Sequence, residues 1–247
     1  STDLSPLSSL TTVQDLLVIE NDDLLNLNGL GNITVENLTI TQNESLQSIS
    51  TSQIEVTSQL RILDNPSLVN LEGFEGTTML QVLEISNNPI TSINVTVNLE
   101  VNNNTSLDNF TGLEETTHLQ DLRLSNNAIT SFTGLNNLVE ISDFFRIIQS
   151  PNITNFAGLD NLVIIESLEV NNNSSLINLN GLPDATLSFV LISNNPVLQQ
   201  IATTNTLQVT ESLQVLLNDD LNNLQGLETT TSLSNVSISS NTISSLV

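Results

Sequence analysis

The sequence predicts a mainly β solenoid whose stacked coils form one continuous parallel sheet of about eleven strands, with a mostly non-helical convex side. Three observations support this fold class. An asparagine recurs at nearly constant intervals from end to end, and a short segment of alternating apolar and polar residues precedes each copy. Between these segments lies the return segment of each coil. It either alternates like a second short strand or carries glycine and threonine in a turn-like stretch.

One coil, residues 119–135 (LQDLRLSNNAITSFTGL), shows the pattern clearly. Leu122 and Leu124 alternate with Arg123, which predicts a short strand with its apolar face inward. Asn127 follows where the strand ends. Its side-chain amide can fold back onto main-chain groups that burial would otherwise leave without hydrogen bonds. We therefore interpret this asparagine as structural.

The asparagine position recurs eleven times, and serine replaces asparagine once. Successive intervals are 22, 22, 23, 16, 23, 23, 23, 22, 23 and 23 residues, so all but one agree within one residue. The predicted asparagine ladder consists of Asn21, Asn43, Asn65, Asn88, Asn104, Asn127, Asn173, Asn195, Asn218 and Asn241, with Ser150 in the serine-substituted coil.

This pattern resembles the leucine-rich repeat family, in which each coil adds one strand to a parallel sheet. The coils of Asn88, Asn127 and Asn241 place isoleucine two residues later, as in NAITSFTGL, and resemble the bacterial internalin type. The other asparagine coils place leucine three residues later, and segments such as GLDNLVIIESLEVNNNSSLINLNGL resemble receptor L-domain repeats. The resemblance implies a non-catalytic module on a cell surface that binds through its concave sheet, but fold alone names no ligand.

The composition restricts the partners. The formal charge is −24, from 27 acidic residues against three arginines and no lysine. Nucleic acid and anionic membranes bind through lysine and arginine, so both are poor partners for this chain and we predict no nucleic-acid binding, while loosely bound cations or a basic partner fit. The chain has no cysteine, which excludes disulfides and thiolate metal sites. No apolar run is long enough to span a membrane. We expect an extracellular or cell-surface protein of bacterial or archaeal origin.

Residues 1–247 are predicted to form a single solenoid that is part of a longer chain or assembly. Leu4, Leu7 and Leu10 match the second half of a coil, and the coil of Asn241 has only its first apolar positions. A solenoid normally covers its last apolar layer with a polar cap. We expect further repeats, another domain or neighbouring subunits to cover each end.

Two further features concern packing. The interval between Asn88 and Asn104 is only 16 residues and lacks the Gly-Leu pair, which predicts a compact coil. Phe110, Phe132 and Phe156 occupy equivalent positions, and we expect them to stack in the core as an aromatic spine.

The residues four positions before each ladder residue are predicted to form one outward-facing column on the sheet, and all three arginines fall in it. Opposite charges on neighbouring strands can pair there. One interpretation is an exposed ion ladder in which each pair contributes about 0–1 kcal/mol. The other is a recognition strip on the concave sheet. The candidate strip consists of Arg61, Glu84, Glu100, Arg123, Arg146 and Glu169.

No chemistry beyond binding is indicated. The chain has no tyrosine or tryptophan, and its phenylalanines fall mainly at core or near-core positions, which removes the usual aromatic anchors of interfaces. His118, the only histidine, matches a loop position and has no orienting group for catalysis. The acidic pairs Asp22-Asp23 and Asp219-Asp220 are too far apart in the repeat to form a calcium site. We predict no enzyme activity, cofactor or metal site.

Three functions remain open. The first is a non-enzymatic cell-surface or secreted module for adhesion or for binding a protein or other surface ligand. The second is a structural building block of a surface layer, filament or larger extracellular assembly. A minor alternative is an ice-binding solenoid, because threonine and asparagine are abundant, although the outward columns mix arginine, glutamate, leucine and serine.

Overall fold

The computed structural model describes residues 4–49, 53–74, 77, 80, 82–91 and 99–244. The chain divides into two compact units, Ser1–Leu113 and Glu114–Val247. In most strands of both units, apolar residues alternate with polar ones and point into the interior of a coil. In the strand Asn235–Ser239, by contrast, every residue is exposed.

The first unit contains five parallel strands that pair in chain order within its described residues. Its elements are the 3₁₀ helix η1 (Ser5–Leu7), β1 (Thr12–Ile19), the 3₁₀ helix η2 (Asn28–Leu30), β2 (Ile33–Thr41), β3 (Ile54–Leu63), β4 (Val82–Ser86) and β5 (Leu99–Asn102).

The second unit continues the same construction. Strands β7 to β12 pair in parallel in chain order, and the short β6 pairs with β8 beside the main row. Its strands are β6 (His118–Leu119), β7 (Leu122–Ser125), β8 (Glu140–Ile148), β9 (Ile164–Asn171), β10 (Ala185–Ser193), β11 (Leu207–Leu216) and β12 (Asn235–Ser239).

The predicted fold class is confirmed: the protein is mainly β, and parallel strands of successive coils stack into a solenoid. Among the described residues, the two 3₁₀ helices are the only helical elements. The compact coil predicted between Asn88 and Asn104 contains residues 92–98, which lie outside the described residues.

The return segments differ in one respect from the sequence-based expectation. A second short strand was expected there, as at Ile54, Val56 and Leu60, and these residues do form a strand, but it continues without a break into the sheet strand as β3. The register between β2 and β3 shifts after Val35 and Val56, where one extra residue of β3 is accommodated. Such an irregularity bends a strand without ending it. One long strand therefore serves both the return segment and the sheet.

The core contains an aromatic cluster in the second unit. The rings of Phe132 and Phe156 stack with centroids 5.5 Å apart and planes inclined by 9°, which confirms this part of the predicted spine. Phe145 packs edge-on against both rings, at 5.8 and 5.7 Å. Phe110 is fully buried in the first unit. All four side chains serve packing.

The residue immediately before each ladder position has a positive φ, between 51° and 59°. This left-handed conformation turns the chain out of the strand, and asparagine tolerates it better than an aliphatic residue does. Asparagine occupies this position in five coils, as Asn87, Asn103, Asn126, Asn172 and Asn194. Leu217 occupies it with 49% of its surface exposed.

We expect Leu217→Asn to stabilise the protein, because asparagine lowers the cost of the left-handed backbone at an exposed position. The free energy of unfolding, measured by urea denaturation, is expected to rise by about 0.5–1 kcal/mol. The reciprocal Asn172→Leu is the control and is expected to lower it by a similar amount. A decrease in stability for Leu217→Asn would contradict the prediction.

Candidate functional site

The ladder asparagines join successive coils through their side chains. Asn43 donates from Nδ2 to the carbonyl oxygens of Val18 and Thr41, both at 3.0 Å. Its Oδ1 accepts the main-chain N–H of Asn21 at 3.0 Å, while its own N–H donates to Oδ1 of Asn65 at 3.2 Å. One amide thus satisfies main-chain groups of two coils that would otherwise be buried without partners.

The arrangement repeats through both units. In the first unit, the main-chain N–H of Asn65 donates to Oδ1 of Asn88, and that of Asn88 donates to Oδ1 of Asn104. The second unit shows the same bonds between its last four ladder asparagines, Asn173, Asn195, Asn218 and Asn241. Asn127 is buried, at 2% exposure. Asn21 and Asn241 are half-buried, and the other ladder asparagines are buried. Since the buried amides are covered, they hold the fold and do not face a ligand.

Ser150 occupies the ladder with a shorter side chain. Its main-chain N–H donates to Oδ1 of Asn173 at 2.9 Å, as in the other coils. Its hydroxyl reaches only the carbonyl oxygen of Ile148, at a long 3.4 Å. In Asn173, by contrast, Nδ2 reaches back to the carbonyl oxygen of Ile147 in the preceding coil. The coil of Ser150 is therefore a weak step in the ladder.

The outward charged column lies in register on the first unit. Arg61 of β3 is opposite Glu84 of β4, and its Nε lies 3.3 Å from a carboxylate oxygen of that residue. Glu84 is also opposite Glu100 of β5. The carboxylate of Glu100 accepts a hydrogen bond from Asn102 at 3.1 Å. These three candidate residues form an exposed ion pair beside a second carboxylate.

The same column on the second unit brings two arginines together. Arg123 of β7 lies directly opposite Arg146 of β8, which in turn lies opposite Glu169 of β9. Nε of Arg146 is 2.6 Å from the Glu169 carboxylate. Arg123 pairs instead with Asp121, two residues earlier in the chain, at 3.2 Å. Sequence reasoning considered only pairing along the column, so it missed Asp121.

Phe144 lies on the outward face between the two arginines. The guanidinium carbons of Arg123 and Arg146 lie 5.7 and 5.9 Å from its ring centroid, within the range of cation–π attraction. The ring is only half-buried, although phenylalanines were expected mainly at core or near-core positions. The sequence spacing indicates this outward position, since Phe144 precedes Arg146 by two residues and so faces the same side of β8.

We call this cluster the Phe144 patch, and it consists of Asp121, Arg123, Phe144, Arg146 and Glu169. Its arginine side chains are 36% and 39% exposed. The patch extends toward a second half-buried ring, because Phe144 is opposite Ser167 of β9, which is opposite Phe189 of β10. It therefore presents aromatic surface, two cations and two carboxylates on a rigid parallel sheet.

The Phe144 patch holds Arg123 tightly. Nε of Arg123 is buried and has no hydrogen-bond partner among the described residues. An unpaired buried donor costs about 1–3 kcal/mol. Asp121 and the ring of Phe144 therefore fix the orientation of this guanidinium at some cost in stability.

The remaining candidates are isolated. His118 lies in strand β6 and not in a loop; its Nε2 is 3.8 Å from a carboxylate oxygen of Glu140, and its Nδ1 is 2.9 Å from the hydroxyl of Thr117. Within the described ranges, no three histidine, aspartate or glutamate side chains are grouped as a metal site. No helix in the part of the chain that the structure describes has the length and apolar character of a membrane span.

Comparisons with protein-family models, with curated proteins and with solved structures gave no match for this chain. The parallel solenoid and the geometry of its side chains therefore provide the basis for a functional proposal.

We expect Ser150→Asn to stabilise the protein, because the longer amide can reach the main-chain carbonyls that the serine hydroxyl reaches poorly or not at all. The expected gain in the free energy of unfolding is about 1 kcal/mol. Urea denaturation measures it. No gain, with the new amide ordered in the ladder, would contradict the weakness assigned to this coil.

The matched reverse change, Asn195→Ser, is expected to lower the free energy of unfolding by about 3 kcal/mol. It removes the acceptor of Asn173 and the donor to Val170 and Ser193. A loss below about 0.5 kcal/mol would show that the ladder amides contribute little.

Proposed function

We propose that this chain is a non-enzymatic leucine-rich-repeat module, displayed on a cell surface or secreted, that binds a protein or other surface ligand through the Phe144 patch. The observation that carries the proposal is the half-exposed ring of Phe144 between Arg123 and Arg146. Aromatic residues and arginine are the side chains that most often dominate binding energy at protein interfaces.

The rigidity of the patch favours binding. Arg146 is already held by Glu169, and Arg123 by Asp121, before any ligand arrives. A partner therefore pays less side-chain entropy to order these long side chains on association. The parallel sheet fixes the spacing between them, as expected for a binding surface built on regular strands.

The leucine-rich-repeat assignment is supported by the near-constant coil length and by the buried ladder in which each asparagine bridges two coils. The surface location is supported by the family resemblance alone, together with a strongly acidic composition that favours solubility. An exposed ion ladder would explain Arg61 and Glu84 equally well, but it does not explain an aromatic ring placed between two arginines.

The test is a binding screen with the purified 247-residue chain on beads against cells and a panel of purified cell-surface and matrix proteins. Phe144→Ser and the double variant Arg123→Glu/Arg146→Glu are each expected to reduce capture at least tenfold, because both remove anchors of the patch. Arg61→Glu is the matched control, since it reverses an arginine at the same repeat offset whose described contact is the ion pair with Glu84, whereas Arg123 and Arg146 both lie over Phe144. The control is expected to retain capture.

Thermal unfolding of each variant separates binding from stability. Loss of capture with an unchanged unfolding temperature supports the proposal. Equal loss of capture in Arg61→Glu would assign binding to general charge. A fall in unfolding temperature that accounts for the lost capture would instead indicate that the column is a structural ion ladder.

A further inference from the structure

A second surface of the second unit, away from the sheet face, has the features of a docking site. Return segments of three successive coils stack there, and a hollow of about 360 Å³ lies across them. One wall is the polar column Glu115, Asn137 and Asn161, and the other is the largely aliphatic column Thr117, Val139 and Val163. The hollow thus combines apolar and acidic surface.

Both walls are held by hydrogen bonds between coils. The N–H of Val139 donates to the carbonyl of Thr117 at 2.7 Å, and that of Val163 donates to the carbonyl of Val139 at 2.8 Å. On the polar side, Nδ2 of Asn137 donates to the carbonyl of Glu114 at 2.8 Å. Asn161 makes the equivalent bond one coil later, at 2.7 Å. The shape of the hollow is therefore built into the solenoid.

The aliphatic wall is unusually exposed. Val163 is 60% exposed and its neighbour Ile164 is 48% exposed, whereas most isoleucine, leucine and valine side chains of the second unit are buried. Val163 therefore adds exposed apolar surface to the hollow, beside the polar side chains of Asn137 and Asn161.

The charged side chains that line the hollow are both acidic. Glu114 and Glu115 lie at its first coil, and both are exposed. The carboxylate of Glu115 has no ion pair or hydrogen bond within the described residues. The chain contains no lysine, and its arginines pair with Glu84, Asp121 and Glu169 on the sheet face. The exposed carboxylate of Glu115 is therefore open to a cationic group of another molecule.

We propose that the hollow is a docking site for a lysine or arginine side chain of a partner protein. The methylene stem of such a side chain packs on Val139 and Val163 while its cationic head reaches the carboxylate of Glu115. Lysine and arginine suit this combination because a long apolar stem carries their charge. The net charge of −24 raises the local concentration of a basic partner and speeds its encounter.

The test uses the ¹⁵N-labelled 247-residue chain and the synthetic peptide Ac-Gly-Lys-Val-Lys-Gly-NH₂ at pH 7.5. We expect chemical-shift changes concentrated at Thr117, Val139 and Val163, and no saturable changes with the matched peptide that has glutamine in place of lysine. Spermidine provides a free polyamine for comparison. Equal affinity for spermidine, or shifts spread evenly over the acidic surface, would overturn the proposal.

Two variants test the contributions of the polar wall and the aliphatic wall to peptide binding separately. Glu115→Gln is expected to weaken binding of the lysine peptide about fivefold, the scale of one exposed ion pair. Val163→Ser is expected to weaken it by a similar factor through lost apolar contact. Both side chains are exposed, so unchanged thermal unfolding is expected for each variant.

Asp219→Asn is the matched charge control, because Asp219 is an exposed member of an adjacent acidic pair in the same unit. It is expected to leave binding unchanged within twofold. Equal weakening by Asp219→Asn, or no weakening by Val163→Ser, would show that the peptide senses only general charge and would overturn the docking site. Neither result affects the Phe144 patch, which lies on the sheet face.

Discussion

The amide column within the coils is the interaction on which the rest of the structure depends. Each coil must turn out of its strand while its main chain is buried, and buried N–H and carbonyl groups without partners are costly. The ladder asparagines supply those partners with one side chain per coil, as Asn43 does for Val18, Thr41 and Asn21. Regular stacking therefore depends on an interaction between coils as much as on apolar packing.

This regularity determines where functional side chains can lie. Because successive coils have nearly constant length, a given offset from the ladder always falls on the same line of the sheet. Arg123, Arg146 and Glu169 become cross-strand neighbours although 23 residues separate each from the next. In the return segments the offset varies by one residue: Val139 lies 11 residues before Ser150 and Val163 lies 10 before Asn173, yet the two valines are hydrogen-bonded neighbours.

The sequence was sufficient to predict the fold, because a nearly fixed interval and inward alternation are both visible in the printed chain. It also predicted that the arginines share a line. It did not predict the partner of Arg123 or the exposure of Phe144, since both depend on a third outward line six residues before the ladder. That line lies where long strands such as β8 pass from the return segment into the sheet. The register with β9 shifts just before Phe144, so only its spacing of two residues from Arg146 indicated its outward direction.

The main-chain hydrogen bonds of the amide column all run one way along the solenoid. Asn173 donates to Asn195, and Asn195 donates to Asn218, while the side-chain N–H groups reach back to earlier strands. Truncating Asn195 therefore removes partners from groups on the amino-terminal side, whereas Asn218 keeps a main-chain donor from the truncated residue. Most of the partners lost with one amide therefore lie in the preceding coil, so the hydrogen bonding gives an otherwise repetitive array a direction.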